Sequence, residues 1–370
     1  MAVSREDFLA NVQEHVPMAH RPFRYQIVRE NQFSPHEPIA AIVSSLDDVR
    51  EFAAAVDLAA QVGGAFAFGT EPSVVILSAE NSIQTLETDI VSLLAMGGVV
   101  AVVTFGGWTA QALAPGYKAQ NLRIPYLFSG LHSIAGLDLA DEGPWRKRVT
   151  GVVSKHPQYR EMLEMLRYMA PSATKALVLQ HPDYIRDRYK EIGFSVTASN
   201  LAMCREAGLE PVVVLAKSTD ELRDCLHREL TRAGDKYVIL TGNDSVALSS
   251  LDAIVRIAGS YNTPVLTQCL DAVAAGAALG SGARGGYAAP LLAERLQEIM
   301  AGGTVPQSLP VDVLYEPEEV YFNSKTVHMQ GLYPTREQLV FLRARSIYDS
   351  GNYPLPLEVR MQLERGHTCC

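Results

Sequence analysis

The sequence predicts an α/β fold, with parallel strands buried beneath covering helices. Three observations carry this. From about residue 73 onward, short β-branched runs alternate with amphipathic segments. Most of the runs are continuously apolar rather than alternating, as expected of strands buried on both faces. The segments between them repeat their apolar residues every 3.6 positions and stop at proline or glycine, where a helix ends.

The runs are, in order, Ser73 to Ala79, Val99 to Phe105, Ile124 to Gly130, Arg148 to Ser154, Lys175 to Gln180, Pro211 to Ala216, Lys236 to Gly242 and Thr263 to Gln268. Upstream of them, RYQIV and PIAAIV compete for the first strand. One helix puts Tyr159, Met162, Leu163, Leu166 and Met169 on one side and ends before Pro171. A second runs from about Ser245 to Ile257, with Asp244 placed to cap it. A third, Ala289 to Met300, stops at Ala301-Gly302-Gly303. So many strands suit one large sheet or two smaller ones, and Leu131 to Lys147 is the expected crossover between domains.

With 370 residues, the chain has room for two or three domains. Its 48% hydrophobic and 20% charged residues exclude disorder over most of it. A net charge of −9 argues against a nucleic-acid groove. The most apolar stretch, Val99 to Phe105, is far shorter than the roughly 20 residues a membrane-spanning helix needs, so no membrane insertion is expected. The first residues carry Glu6, Asp7 and Glu14 without an apolar core, which reads as cytoplasmic; the alternative is periplasmic, given an upstream signal. Cys204, Cys225 and Cys269 are scattered singly, and Cys369 and Cys370 end the chain as a tail, so neither a metal site nor a disulfide framework is expected.

Open parallel sheets bind ligands beyond the carboxyl ends of their strands, so the strand-to-helix turns are where a site belongs. Thr104-Phe105-Gly106-Gly107-Trp108-Thr109 is one: paired glycines admit a ligand, and free N–H groups at a helix start attract a carboxylate or phosphate. It lacks both GK[ST] and GxGxxG. Trp108 either stacks on a flat ligand or packs between lobes. Asp244, in LTGNDS, either accepts from an ammonium group or caps the next helix, and Asp271 has the same two readings. His132 and His181 each follow a strand, as ligand contacts or as polar loop residues. There is no GxSxG, kinase set or HExxH. Cys269 is read as a buried thiol; as a nucleophile it lacks a partner. No catalytic residue, metal ligand or cofactor is assigned, and the chain is read as a non-enzyme.

Four blocks, in order, resemble a known family. RVTGVVSKHPQYREMLEMLRYMAPSATKALVLQHP resembles "NVTGV", a helix and "PNAKRIGVLYNP". KYVILTGNDSVALSSLDAIVRIAGSYNTPVLT resembles "D…PTDN" followed by "PVF". DAVAAGAALGSGARGGYAAPLLAERLQEIMAGGTVPQSLPVDV resembles "GALA", a Tyr-containing turn, "AAEILAGEKP" and "IPV". VYFNSKTVHMQGLYP resembles "INLKTAKALGLTIP". Over about Val99 to Pro334 the chain thus resembles the ABC transporter substrate-binding proteins of type I periplasmic-binding-protein-like fold, and is similar to aromatic amino-acid receptors.

The resemblance implies two doubly wound parallel-sheet lobes with a ligand cleft, joined by three crossovers. Lobe one would hold residues 20–130 plus 286–303, lobe two 135–283 plus 307–330, and 335–370 would be a C-terminal extension. The matching cleft positions are Gly107, Trp108, Thr109, Ser129, His132, His181 to Tyr184, Asp244 and Asp271. Two departures fall among them: Gly107-Trp108-Thr109-Ala110-Gln111 stands where the family has "TPAAQ", and His132-Ser133-Ile134 where it has "TDP". The implied function is non-catalytic binding of a small amino-acid-like ligand, with an ABC permease as partner. The alternative is a cytoplasmic ligand sensor regulating a partner protein. For the solute-binding reading, the helix start at Gly106 to Thr109, or Ser129, is expected to hold a ligand carboxylate. Asp244 or Asp271 is expected to bind an ammonium group, and Trp108 or Tyr184 to cover an apolar part.

Overall fold

A computed structural model of the chain describes residues 24–29, 36–66, 70–131, 134–137, 145–155, 167, 170–182, 200–232, 236–242, 244–283, 285–302, 304–315, 319–329, 337 and 345–346. Its strands are β1 (Arg24–Arg29), β2 (Ile39–Val43), β3 (Val74–Ser78), β4 (Ala101–Phe105), β5 (Tyr126–Leu131), β6 (Val149–Lys155), β7 (Lys175–Gln180), β8 (Glu210–Leu215), β9 (Tyr237–Leu240), β10 (Val265–Cys269), β11 (Leu279–Ala283), β12 (Asp312–Tyr315), β13 (Glu319–Phe322) and β14 (Arg345–Ser346). All eight apolar runs are strands, and both RYQIV and PIAAIV contain one.

The chain divides into two compact units. Unit one comprises Met1–Leu46, Glu51–Lys155 and Gly285–Tyr315; unit two comprises Asp47–Arg50, His156–Arg284 and Glu316–Cys370. The sheet of unit one has the order β1-β3-β2-β4-β5-β6-β12, parallel throughout except for antiparallel β1 at its edge. Strands β2, β3 and β4 are buried at every residue, which explains why they read as unbroken apolar runs. The sheet of unit two has the order β14-β13-β11-β10-β9-β7-β8, with β13 antiparallel to β11.

Two boundaries differ from expectation. The Leu131 to Lys147 segment is no crossover: it links β5 to β6, which lie side by side in unit one with Tyr126 opposite Val149. Likewise β12, expected in the second lobe, pairs with β6, Asp312 opposite Val152. Residues 135–155 and 307–315 therefore group with unit one, because strand pairing, and not the position of the Gly/Pro-containing loop, decides the division. Beyond Pro334, β14 pairs with β13, so the described part of the expected extension continues the sheet of unit two.

The helices follow their stripes with one break. The segment expected as a single helix from Ser245 is split into Ser245–Ser249 and Leu251–Ser260, because Ser250 leaves helical geometry at φ −101°, ψ 12°. Ala289–Met300 ends as predicted, with Gly302 at φ +92°. The expected helix through Tyr159 and Met169 lies outside the described residues.

In unit one, Tyr126 of β5 fixes the helix Gly107–Ala119 to the sheet. Its hydroxyl donates to the Ala110 carbonyl at 3.1 Å and shares a hydrogen bond with Thr104 Oγ1 at 2.9 Å. Tyr117 and Trp145 stack against it, each ring centroid 5.3 Å from the next. Burial pushes both phenols well above the usual tyrosine range, so they stay neutral.

Candidate functional site

In unit one the carboxyl ends of β2, β3, β4 and β5 are adjacent in the sheet. After β4 the chain turns at Gly106 (φ +87°, ψ 142°), a conformation open essentially to glycine alone, and enters the helix Gly107–Ala119. Near the end of β5, Gly130 (φ +77°) lies so close that a Cβ there would stand 2.9 Å from the Gly106 nitrogen. The Gly106 turn and the end of β5 therefore meet backbone to backbone. Ser129 is the β5 residue paired in register with Phe105, which sets it level with the turn that leads into Gly107, Trp108 and Thr109; Trp108, Thr109 and Ser129 are all buried.

A residue that the sequence reading did not single out occupies the centre of this arrangement. Glu51, on the helix Val49–Ala65, is buried, and its Oε2 accepts from the Ser44 backbone N–H at 2.5 Å and from the Thr109 hydroxyl at 3.4 Å. Its Oε1 lies only 1.8 Å from where a Cβ on Gly106 would be. The paired glycines thus make room for a carboxylate of the protein itself. The neighbouring turns are polar too: Ser78 at the end of β3 accepts from the Leu46 N–H at 3.1 Å and donates to Glu80. Glu51 carries no motif, and its helix also holds Arg50, Asp57 and Gln61, so no signal in the sequence singles it out.

In unit two β7, β9 and β10 are likewise adjacent, and their ends bring together His181, Asp244 and Asp271. Of Asp244's two readings, the structure shows the cap. One oxygen accepts from the Ala247 N–H at 3.0 Å and the other from the His181 backbone N–H at 2.7 Å. Burial is the larger influence on this carboxyl and pushes it up to about 6, against the pull of the His181, Ala247 and Val246 amides. Asp271 is buried in the first turn of the helix Leu270–Ala274, with the Cys269 thiol 3.9 Å from its Oδ2.

Cys269 itself is completely buried, and burial, with Asp271 beside it, holds its thiol well above the usual range. That is the environment of an inert thiol, opposite to that of a nucleophile. His132 and Tyr184 lie outside the described residues. Among the described residues no group of three or more His, Cys, Asp or Glu could hold a metal ion, and no helix is long and apolar enough to cross a membrane.

Two α/β units whose parallel strands end in polar turns define the two-lobed periplasmic-binding-protein-like fold. The chain belongs to the ABC transporter substrate binding protein family, whose profile matches residues 76–345. Among solved structures it is similar to a conserved domain protein from Vibrio cholerae, with TM-score 0.68 and 18% identity over 84% of this chain and 99% of that one. It is also similar to an ABC domain from Streptococcus pneumonia in complex with L-Trp, with TM-score 0.65 and 17% identity over 83% and 99%. A third is an ABC transporter solute binding protein from Bacillus halodurans with bound myo-inositol, with TM-score 0.51 and 14% identity over 82% and 100%. At these identities the likeness is one of fold. No curated protein matches the chain.

Proposed function

We propose that this protein is a non-catalytic solute receptor whose two units close on one small, amino-acid-like molecule and deliver it to an ABC permease. The observation that carries the reading is the family match across residues 76–345. The polar strand-end turns in both units support it, since open parallel sheets take ligands there. The residues proposed to meet the solute are Gly107, Trp108, Thr109 and Ser129 from unit one and His181, Tyr184 and Asp271 from unit two, together with His132. Asp244 serves instead by holding the His181 turn to the head of its helix. Closure fits the family's working principle, in which a ligand that binds one conformation better shifts the population toward it.

The test is a thermal-shift screen of the purified protein against amino acids, nucleosides, polyols and small carboxylates. A ligand that binds only the folded state raises the melting temperature. One chemical class is expected to do so. A panel without any shift overturns the proposal.

A further inference from the structure

The strand ends of unit two hold two side-chain amides that nothing above accounts for. Leu266 of β10 pairs with Leu240 of β9, which sets Gln268 level with Gly242 in the turn after β9. Gly242 sits in the left-handed region at φ +56°, which favours glycine. The space that a side chain on Gly242 would enter is bordered by the two amides. A Cβ there would stand 3.5 Å from Asn200 Nδ2 and 3.8 Å from Gln268 Oε1, and, chain neighbours aside, no other described residue comes within 4 Å. Asn200 is only 7% exposed and Gln268 is half-buried. Neither side chain has a hydrogen-bond partner among the described residues. Buried side-chain amides are as a rule paired, so an unpaired one beside open space asks for a partner from outside the protein.

We infer that Asn200 and Gln268, on either side of Gly242, form a subsite of unit two for an uncharged group of the solute that both donates and accepts hydrogen bonds, such as a carboxamide or a hydroxyl. The inference rests on the solute-receptor reading and narrows its ligand. Each amide offers N–H donors and a carbonyl acceptor, so the pair completes such a group whichever way it enters. An apolar group would leave both amides unpaired. A charged group would meet no ion of opposite charge bordering this space, and Asp244, two residues on, already accepts from the Ala247 and His181 amides.

Calorimetric titration of L-asparagine and L-glutamine, compared with L-leucine, L-aspartate and L-glutamate, into the full-length wild type, Asn200→Leu and Gln268→Leu tests this. Wild type is expected to bind the amide at least about tenfold more tightly than its apolar or acidic counterpart. Each variant is expected to lose most of that preference by weakening the amide alone. Equal or tighter binding of leucine or of an acid by wild type overturns the inference, as does an amide preference that both variants keep. The wild-type comparison involves no variant, so it decides the matter even where neither variant folds. If none of the five amino acids binds, the compound of the thermal-shift panel that most raises the melting temperature takes their place. A compound without an uncharged donor–acceptor group, or one whose affinity both variants leave unchanged, overturns the inference. A panel without any binder overturns the solute-receptor reading itself, whereas binding that ignores both amides overturns only the subsite.

Discussion

Gly106 and Glu51 make a coupled pair whose energy can be measured. Placing a methyl group on Gly106 has two consequences. The backbone there sits at φ +87°, ψ 142°, and a non-glycine residue held in such a region costs about 2 kcal/mol. The new Cβ also collides with the Glu51 carboxylate, which must leave. Its departure breaks the buried bond from the Ser44 amide, worth about 2 kcal/mol for a charged acceptor, and the long bond from Thr109, which adds little. Gly106→Ala is therefore expected to destabilise by about 4 kcal/mol in the wild type. In a Glu51→Ala background the collision has no partner, so the same substitution should cost only the backbone strain, about 2 kcal/mol. Urea unfolding of all four proteins, followed by far-ultraviolet circular dichroism, gives the coupling as the difference, about 2 kcal/mol. Equal costs in the two backgrounds would refute the contact between these residues. A negligible cost in both would refute the strained turn.

Other substitutions probe the rest of the account. Asp244 titrates near 6 in the fold but near 3.8 when unfolded, so the folded state keeps its proton longer. Its contribution to stability must therefore fall as pH rises from about 4 to 6, by about 3 kcal/mol, and Asp244→Asn should remove that part of the pH profile in denaturation series. A profile identical in both proteins would contradict the buried, proton-retaining carboxyl. Gly280 in β11 lies beneath the helix Leu270–Ala274, where a Cβ would stand 2.3 Å from Val273 Cγ2; Gly280→Ala should cost about 1–3 kcal/mol in chemical unfolding, and a neutral effect would contradict the packing. Burial pushes the Cys204 thiol up to about 11 and the Cys269 thiol well above its usual range, whereas Cys225 is only half-buried. Thiol labelling at pH 8, mapped by mass spectrometry, should modify Cys225 in the native protein and reach Cys204 and Cys269 only after denaturation. Early labelling of Cys269 would reopen a nucleophilic role.

Apolar, β-branched composition is why all eight runs were legible: most are strands buried along their length, while β8, at the sheet edge with Val213 and Leu215 exposed, declares itself by its valines alone. The strand β11 escaped notice because LGSGA has no β-branched residue: Gly280 is required by the helix crossing above it, so tertiary packing overrides propensity there. The units' boundaries were misjudged because a loop rich in Gly, Asp and Pro signals a turn, yet the pairing partner of β6 and β12 is set by contacts some 160 residues apart in sequence. At the site, the strand-end turn drew attention to Gly107, Trp108 and Thr109 and the family resemblance to Ser129, which pairs in register with Phe105 just before that turn. Glu51 was invisible because it reaches the Gly106 turn across 55 residues of chain, from a segment that carries no motif. Asp244 shows the reverse: LTGNDS is a capping signature, and the cap is what its carboxylate provides.

Equilibrium dialysis of the protein with the solute that most raises its melting temperature, followed by mass spectrometry of the bound and free pools, tests the central claim most directly. A solute receptor retains one equivalent per chain and returns it chemically unchanged. Failure to retain the solute, or its recovery as a different compound, would contradict the account.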